Sequence, residues 1–201
     1  MPLSLSIAMC TFNGARHLPA QSESIARPTR LPDEGIVCDD QSADDTVKLV
    51  EEFSRSVPFD VRLTTNPRRL GSVRNFEQAI ALCRGDVIFL ADQDDVWLPE
   101  KLAAMEQRLL AEPKAGLVFS DLQIADESLR PLGYTAWQVL AGLQFSRAMQ
   151  EQVRSGEALP TLMRFNVISG NAMAFRARYR DLALPIGEGW GHDEWIALMI
   201  A

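Results

Sequence analysis

The chain has 201 residues, of which 47% are hydrophobic and 23% are charged, a balance typical of a folded globular protein. Its 20 Lys and Arg residues and 27 Asp and Glu residues give a formal net charge of −7, which disfavours binding to nucleic acid or to an anionic membrane face by charge alone. The length predicts a single domain over residues 1–201, with a core and a cleft. The composition is compatible with an acidic, metal-dependent site.

The cysteines and the hydropathy of the chain bear on its location. The three cysteines lie in apolar runs and lack C-x-x-C spacing, so we expect buried free thiols in a reducing compartment: Cys10, Cys38 and Cys83. The N-terminus lacks the basic opening of a signal peptide, and no run of about 18 apolar residues occurs. We therefore expect a cytoplasmic protein with no transmembrane segment, and peripheral association with the inner face of a membrane stays open.

Short apolar runs alternate with helical periodicity in the first half, which predicts an α/β fold with a mostly parallel central sheet flanked by helices. Four strands are expected at residues 5–9, 36–38, 61–65 and 87–90. Apolar stripes from Thr46 to Phe53 and from Phe76 to Cys83 predict helices between the strands. Ser42 and Asp45 are expected to form a variant capping box before the first of these helices.

The second half has weaker periodicity. A helix is expected to start near Pro99 and to end before Glu112 and Pro113. Further strands are predicted at residues 116–120, Gln123–Ala125 and 172–175, with Arg147–Arg154 as a polar helix or loop and a helix opening at Asp193.

An apolar strand runs directly into three carboxylates, those of Asp92, Asp94 and Asp95. Their mutual repulsion is unfavourable unless a cation compensates it. Mg²⁺ and Mn²⁺ commonly use one or two carboxylates together with water and phosphate oxygens. A solvated acidic turn that caps the next helix explains the same three residues equally well.

A second acidic pair, Asp39 and Asp40, follows the strand at residues 36–38. Ligands of open parallel sheets bind at the carboxyl ends of the strands, so both carboxylate groups can face one cleft. Simple helix capping fits Asp44 and Asp45 better than it fits this pair.

Four segments together resemble, in order and spacing, the nucleotide-sugar half of family 2 glycosyltransferases: residues 4–14, 38–46, 66–75 and 90–97. The likeness resumes at residues 169–171 and 191–195, and the acidic segment is similar to bacterial members that build O-antigen and other surface polysaccharides, including rhamnosyltransferases. The resemblance implies a GT-A fold and inverting transfer of a sugar from a UDP- or dTDP-sugar donor to a saccharide or lipid-linked saccharide acceptor. Residues 1–100 would bind the donor, and residues 101–201 would form the acceptor side.

The same resemblance assigns the nucleoside pocket to three residues after the first strand: Thr11, Phe12 and Asn13. Asp40, with Asp39 beside it, matches the carboxylate that accepts a hydrogen bond from N3–H of uracil or thymine, and an ionised carboxylate is an acceptor only. Arg74 matches a basic residue near the nucleotide, where it could offset the aspartates.

The resemblance also assigns the reacting end of the site. By this resemblance, Asp92 would lie near the ribose and a Mg²⁺ or Mn²⁺ ion, and Asp94 would bind that ion beside the donor diphosphate. Asp193 matches the base that deprotonates the acceptor hydroxyl, while a helix N-cap is its plain structural explanation. His192 is either a further metal ligand or a polar residue that orients the loop.

Two other functions stay open. A sugar nucleotidyltransferase normally opens with a Gly-rich loop and a basic residue, and residues 11–14 replace that loop here. A non-catalytic nucleotide-sugar-binding or scaffold protein would keep the donor half alone. Since the chain ends eight residues after Asp193, we expect a short or truncated family member whose acceptor side is the part in doubt.

Overall fold

The computed structural model describes residues 2–201 and has the predicted α/β architecture. A six-stranded sheet has the order β3-β2-β1-β4-β8-β5, and a separate hairpin pairs β6 with β7. The strands are β1 (Leu5–Thr11), β2 (Glu34–Asp39), β3 (Asp60–Thr65), β4 (Val87–Ala91), β5 (Leu117–Phe119), β6 (Gln123–Ala125), β7 (Pro131–Thr135) and β8 (Met173–Arg176). The first four strands are parallel, whereas β8 runs antiparallel to β4 and β5.

Helices connect the strands and cover both faces of the sheet. They are α1 (Leu18–Ala26), α2 (Thr46–Ser56), α3 (Ser72–Leu82), α4 (Lys101–Ala111), α5 (Ala136–Ala141), α6 (Arg147–Arg154), α7 (Leu159–Leu162), α8 (Arg180–Ala183) and α9 (His192–Ile200). Two short 3₁₀ turns lie at Gly170–Ala172 and Ala177–Tyr179. Within residues 2–201, no helix combines the length and the hydropathy needed to cross a bilayer.

The sheet separates two apolar cores. On strand β1, Ala8 and Cys10 pack in the core that contains Phe76, whereas Ile7 and Met9 pack in the core on the opposite face. Because β1 and β4 are buried on both faces, their sequences read as continuous apolar runs and not as alternating ones. The three cysteines are buried and free, as expected.

Several local predictions need correction. Ser42 and Asp45 do not form a capping box, because the Ser42 side chain hydrogen-bonds to Asp39 and the N-cap Asp45 makes no side-chain cap bond to the described residues. The main-chain N–H of Thr46 donates to Asp44 Oδ1 instead, at 3.0 Å. Helix α4 begins at Lys101, two residues after Pro99.

The region after β5 departs most from the sequence prediction. The strand expected at residues 116–120 is limited to β5, and β7, α5, α7 and α8 were not predicted. These elements are short, and β7 is largely exposed, so they carry little of the apolar periodicity on which the prediction depends.

Strand register brings the site segments to one edge of the sheet. Thr11 pairs with Asp39, and Met9 pairs with Ala91, so the ends of β1, β2 and β4 lie side by side. Because β8 is antiparallel, its first residues and the preceding 3₁₀ turn reach the same edge.

Candidate active site

The acidic residues after β4 form one cluster with the start of α9. Burial, and then the negative charges of Asp95, Asp94 and Asp193, raises the pKa of Asp92 to about 7, against a partial lowering by Lys101. Each neighbour must lie close to act in this way. The carboxylates after β4 and the start of α9 therefore lie close enough for their charges to act on Asp92.

Lys101 and Asn171 support this cluster, and neither was assigned a role from the sequence. Asn171 Nδ2 donates to Asp95 Oδ2, and Lys101 Nζ donates to the main-chain oxygen of Asn171. The Lys101 ammonium lies 4.1 Å from the centroid of the Trp97 ring, and burial lowers its pKa to about 7. The sequence did hold one signal for Lys101. A cation in the first turn of a helix is disfavoured by the helix dipole, so an anionic or other acceptor partner is expected nearby.

The side chain of Asp39 stabilises the loop after β2 through hydrogen bonds. Its side chain is fully buried and accepts hydrogen bonds from Thr11 Oγ1 at 2.8 Å, Ser42 Oγ at 2.5 Å and Ser42 N at 2.8 Å. These contacts use the Thr11 hydroxyl as well. Both residues therefore join the ends of β1 and β2 and shape the pocket through the backbone.

Asp40 anchors the loop at residues 66–71. Its Oδ1 accepts from Asn66 Nδ2 at 3.0 Å and from Leu70 N at 2.7 Å, and its Oδ2 accepts from Gly71 N at 2.9 Å. Burial raises the pKa of Asp40, but these hydrogen bonds and the charge of Arg69 outweigh it, so the net pKa is lowered. A carboxylate has about four acceptor positions, and these contacts use three of them.

The segment after β1 is tied to two neighbouring loops. Asn13 has a φ of 48°, its N–H donates to Ser42 Oγ at 2.8 Å, and its Oδ1 accepts from Ala43 N at 2.9 Å. The Arg69 guanidinium makes a cation–π contact with the Phe12 ring, with its Cζ atom 3.8 Å from the ring centroid. Arg69 was missed from the sequence because only the Asp40-anchored loop brings it to Phe12.

Arg74 forms an ion pair within its own helix. It is exposed on α3, where its Nη1 donates to both carboxylate oxygens of Glu77 at 2.6 Å. The nearer cation of the nucleoside side is Arg69, which acts on the pKa of Asp40.

Asp193 lies in the first turn of α9 and is not its N-cap. The N-cap is Gly191, and Asp193 Oδ1 accepts from Glu194 N at 2.8 Å. An anionic side chain is stabilised at this position by the helix dipole. The preceding His192 packs on Phe76, and burial lowers its pKa despite the nearby charge of Asp193. Its Nε2 atom is buried without a hydrogen-bond partner among residues 2–201.

A cavity of about 170 Å³ opens beside Asp193 on the side formed by the second half of the chain. Trp137 and Leu140 give it an apolar wall, and Ser120, Asp121 and Ser169 contribute polar groups. The Trp137 indole N–H donates to the Val167 main-chain oxygen at 3.0 Å, so only the carbon part of the ring remains for a ligand. The cavity can therefore take a group with both apolar and hydroxyl surfaces.

Known proteins share this fold and sequence pattern. The mannosyltransferase PcManGT of Pyrobaculum calidifontis, solved with GDP-Man and Mn²⁺, superposes with a TM-score of 0.69 at 17% identity, over 97% of this chain and 50% of that chain. The fold is the GT-A fold. A sequence profile described as Glycosyl transferase family 2 matches residues 6–182. The chain belongs to glycosyltransferase family 2.

Two bacterial relatives have named activities. The Escherichia coli UDP-Glc:alpha-D-GlcNAc-diphosphoundecaprenol beta-1,3-glucosyltransferase WfgD is 28% identical over 124 residues, which are 62% of this chain and 47% of that protein. The Shigella flexneri dTDP-rhamnosyl transferase RfbG is 31% identical over 98 residues, which are 47% of this chain and 34% of that protein. The matched region thus spans half or less of each relative.

Proposed function

We propose that the protein is an inverting glycosyltransferase that moves a sugar from a UDP- or dTDP-sugar to a hydroxyl acceptor in bacterial surface-polysaccharide synthesis. One observation carries the proposal: in a chain of glycosyltransferase family 2, the charges of Asp94 and Asp193 act on the buried carboxyl group of Asp92 at the carboxyl edge of the sheet. The named activities of WfgD and RfbG support the two donor nucleotides. Three buried free thiols support a reducing, cytoplasmic setting.

In the donor half, residues 1–100, the nucleoside would lie between Phe12 and Asp40. Asp40 keeps one acceptor position for N3–H of the base, and Arg69 places a guanidinium over Phe12. Thr11, Asn13 and Asp39 fix the loops around it, and Arg74 contributes positive charge at the rim. Uracil or thymine fits this pattern because each carries an N3–H donor.

The residues present fit a Mg²⁺ or Mn²⁺ ion. Residues 2–201 hold no preformed set of three His, Cys, Asp or Glu ligands, but Mg²⁺ commonly needs only one or two carboxylates. Asp92 and Asp94 would supply these, and His192, whose Nε2 is unpaired among residues 2–201 but faces Gly170, would have to move to become a third ligand. Such an ion would neutralise the charge that develops on the leaving diphosphate.

Asp193 would act as the general base. It would accept the proton of the acceptor hydroxyl while that oxygen attacks the anomeric carbon, and the bond from that carbon to the diphosphate oxygen would break in the same step. A single displacement of this kind inverts the anomeric configuration.

The acceptor would occupy the cavity beside Asp193, in the half of the chain at residues 101–201. Its apolar wall and polar rim suit a saccharide or a lipid-linked saccharide, whose rings expose C–H faces and hydroxyl groups. At about 170 Å³, the cavity is smaller than the pockets of about 300–1,000 Å³ that enclose drug-sized ligands, so it suits one sugar ring.

Donor hydrolysis tests the proposal without knowledge of the acceptor. We expect UDP-sugars or dTDP-sugars to be hydrolysed slowly in the presence of Mn²⁺, with sugar release measured by mass spectrometry. Asp94→Ala should abolish the release. Nucleotide binding with no turnover for any donor or acceptor would instead support the non-catalytic binding module, and nucleotide transfer from a triphosphate to a sugar phosphate would support the nucleotidyltransferase.

A further inference from the structure

Gln93 lies in the chain between the two proposed metal ligands, Asp92 and Asp94, but its side chain turns toward the nucleoside segment. The N–H of Phe12 donates to Gln93 Oε1 at 2.9 Å, and Gln93 Nε2 donates to the Phe12 main-chain oxygen at 3.1 Å. One primary amide thus pairs with both polar groups of one peptide residue. The pair extends the contact between β1 and β4 beyond Met9 and Ala91, where the strand pairing ends.

Gly14 makes room for this amide. A Cβ atom built on Gly14 would lie 2.1 Å from Gln93 Oε1 and 2.4 Å from Gln93 Cδ. The backbone of Gly14 is outside the left-handed region, so its conformation alone does not require glycine. A side chain at this position would therefore fit only if the Gln93 amide moved away.

The amide pair continues into a longer series of contacts. The Phe12 ring lies under Arg69, and the loop that carries Arg69 is anchored by the Asp40 carboxylate through Leu70 N and Gly71 N. The acidic loop is therefore linked through Gln93 to both sides of the nucleoside pocket.

We propose that Gln93 is a positioning residue that couples the cation site to the nucleoside pocket. The inference rests on the proposed function, which supplies both ligands. An ion held by Asp92 and Asp94 fixes the acidic loop, and Gln93 transmits this order to Phe12. By thermodynamic linkage, a bound nucleoside strengthens ion binding by the same factor.

A nucleoside without phosphate isolates this coupling. Uridine and thymidine carry the base and ribose but lack the oxygens that would touch the ion, so an effect of Mg²⁺ on their affinity must pass through the protein. The affinities are measured by ligand-observed NMR with saturating Mg²⁺ and with EDTA. In the wild type, Mg²⁺ should tighten binding of the preferred nucleoside by at least about fivefold, the lower range of measured couplings.

Gln93→Leu removes both hydrogen bonds at similar volume and should reduce the ratio of the two affinities to about one. The matched control is Gln21→Leu, because Gln21 is a fully buried glutamine of α1 whose Nε2 has no partner among the described residues. The control should keep the wild-type ratio. A purely structural role would weaken binding equally with and without Mg²⁺, which leaves the ratio unchanged.

Gly14→Ala provides a second route that does not alter Gln93 itself. The new methyl group displaces the amide, so this variant should also lose the Mg²⁺ effect. In a Gln93→Ala background the clash is gone, and Gly14→Ala should cause no further loss. This cycle serves as the decisive test if Gln93→Leu does not fold by circular dichroism.

The outcomes separate the two proposals. If wild-type protein binds UDP or dTDP with Mn²⁺ but Gln93→Leu and Gly14→Ala retain the nucleoside ratio, the coupling inference is overturned and the proposed function stands. If Mg²⁺ does not change the nucleoside affinity of the wild type, the coupling inference is likewise overturned and the proposed function stands. If the wild type binds no nucleoside diphosphate at all, both proposals fail.

Discussion

His192 lies face to face with Phe76, with ring centroids 3.9 Å apart and ring planes 15° apart. The stack joins the first residue of α9 to α3, and α3 packs against β1 and β2. Gly170 lies beside the same ring, where an added Cβ would be 2.6 Å from His192 Nε2. The imidazole therefore fixes the start of α9 and, one residue later, the position of Asp193.

His192→Phe should distinguish the two roles of this histidine. Phenylalanine preserves the aromatic stack but removes the nitrogen, so a ligand role predicts Mn²⁺ affinity at least about tenfold weaker with thermal stability close to wild type. Titration calorimetry measures the affinity. Unchanged Mn²⁺ affinity would leave His192 as a packing residue only.

Asp193→Asn should bind donor normally and lose transfer. Asparagine keeps the size and the acceptor oxygen that faces Glu194 N, but it cannot take the acceptor proton. Loss of a general base typically slows a reaction by about 10²–10⁴-fold. The measurement pairs UDP or dTDP calorimetry with a transfer assay, and normal transfer by this variant would refute the assignment of the base.

Asp94→Ala should abolish the dependence of nucleotide affinity on the divalent ion. The wild type should bind UDP or dTDP more weakly after chelation with EDTA, whereas the variant should bind equally weakly in both conditions. Asp181→Ala, an exposed first-turn aspartate of α8, is the charge-matched control. Metal-independent affinity in the wild type would contradict the roles given to Asp92 and Asp94.

Ion affinity should rise steeply between pH 6 and pH 7. Since burial and neighbouring carboxylates raise the pKa of Asp92 to about 7, protons compete with the cation where an ordinary aspartate is already ionised. Protonation of Lys101, whose pKa is about 7, adds positive charge over the same interval. If ion binding displaces one proton, the ion affinity should rise about tenfold per pH unit, and the rise should level off above pH 8.

A Mn²⁺ titration series across this range measures the slope. Asp92→Asn removes one of the two titrations and should give a shallower slope, since Lys101 alone remains. An identical slope in wild type and variant would show that Asp92 is not the group that exchanges protons with the ion.

Asp39→Ala should destabilise the fold by about 2–4 kcal/mol, because it leaves buried hydrogen-bond donors without their acceptor. Asp45→Ala is the contrasting control, since Asp45 is exposed and makes no side-chain cap bond within the described chain, and it should change stability by less than about 0.5 kcal/mol. Urea denaturation compares the two. Equal effects would contradict a structural role for Asp39.

The donor half of the fold was predictable because its strands are buried on both faces. Strands β1 and β4 are continuous apolar runs, and α2 and α3 carry regular apolar stripes, so local pattern and tertiary environment agree. The hairpin of β6 and β7 lacks such a pattern, since β7 is mostly exposed and includes Pro131 and Gly133.

The site was predictable at the ends of strands and less so between loops. Residues such as Asp92 and Asp40 follow buried strands, whose carboxyl ends must share one edge. The placement of Arg69 on Phe12, and of Lys101 on the Asn171 carbonyl, depends on side-chain contacts across long sequence separations. No periodicity encodes such contacts.

The reversed direction of β8 decides where the chain re-enters the sheet. Pairing of Phe89 with Ala174 returns the chain to the rim where β4 ends, so everything from β6 to α7 is an excursion that leaves and re-enters at one border of the sheet. Within residues 2–201, the excursion makes no strand pairing with β1 to β4, but its side chains Trp137, Phe145 and Leu162 join the core on one face of the sheet. A change of length in this excursion would therefore leave the strand pairing of β1 to β4 unaltered.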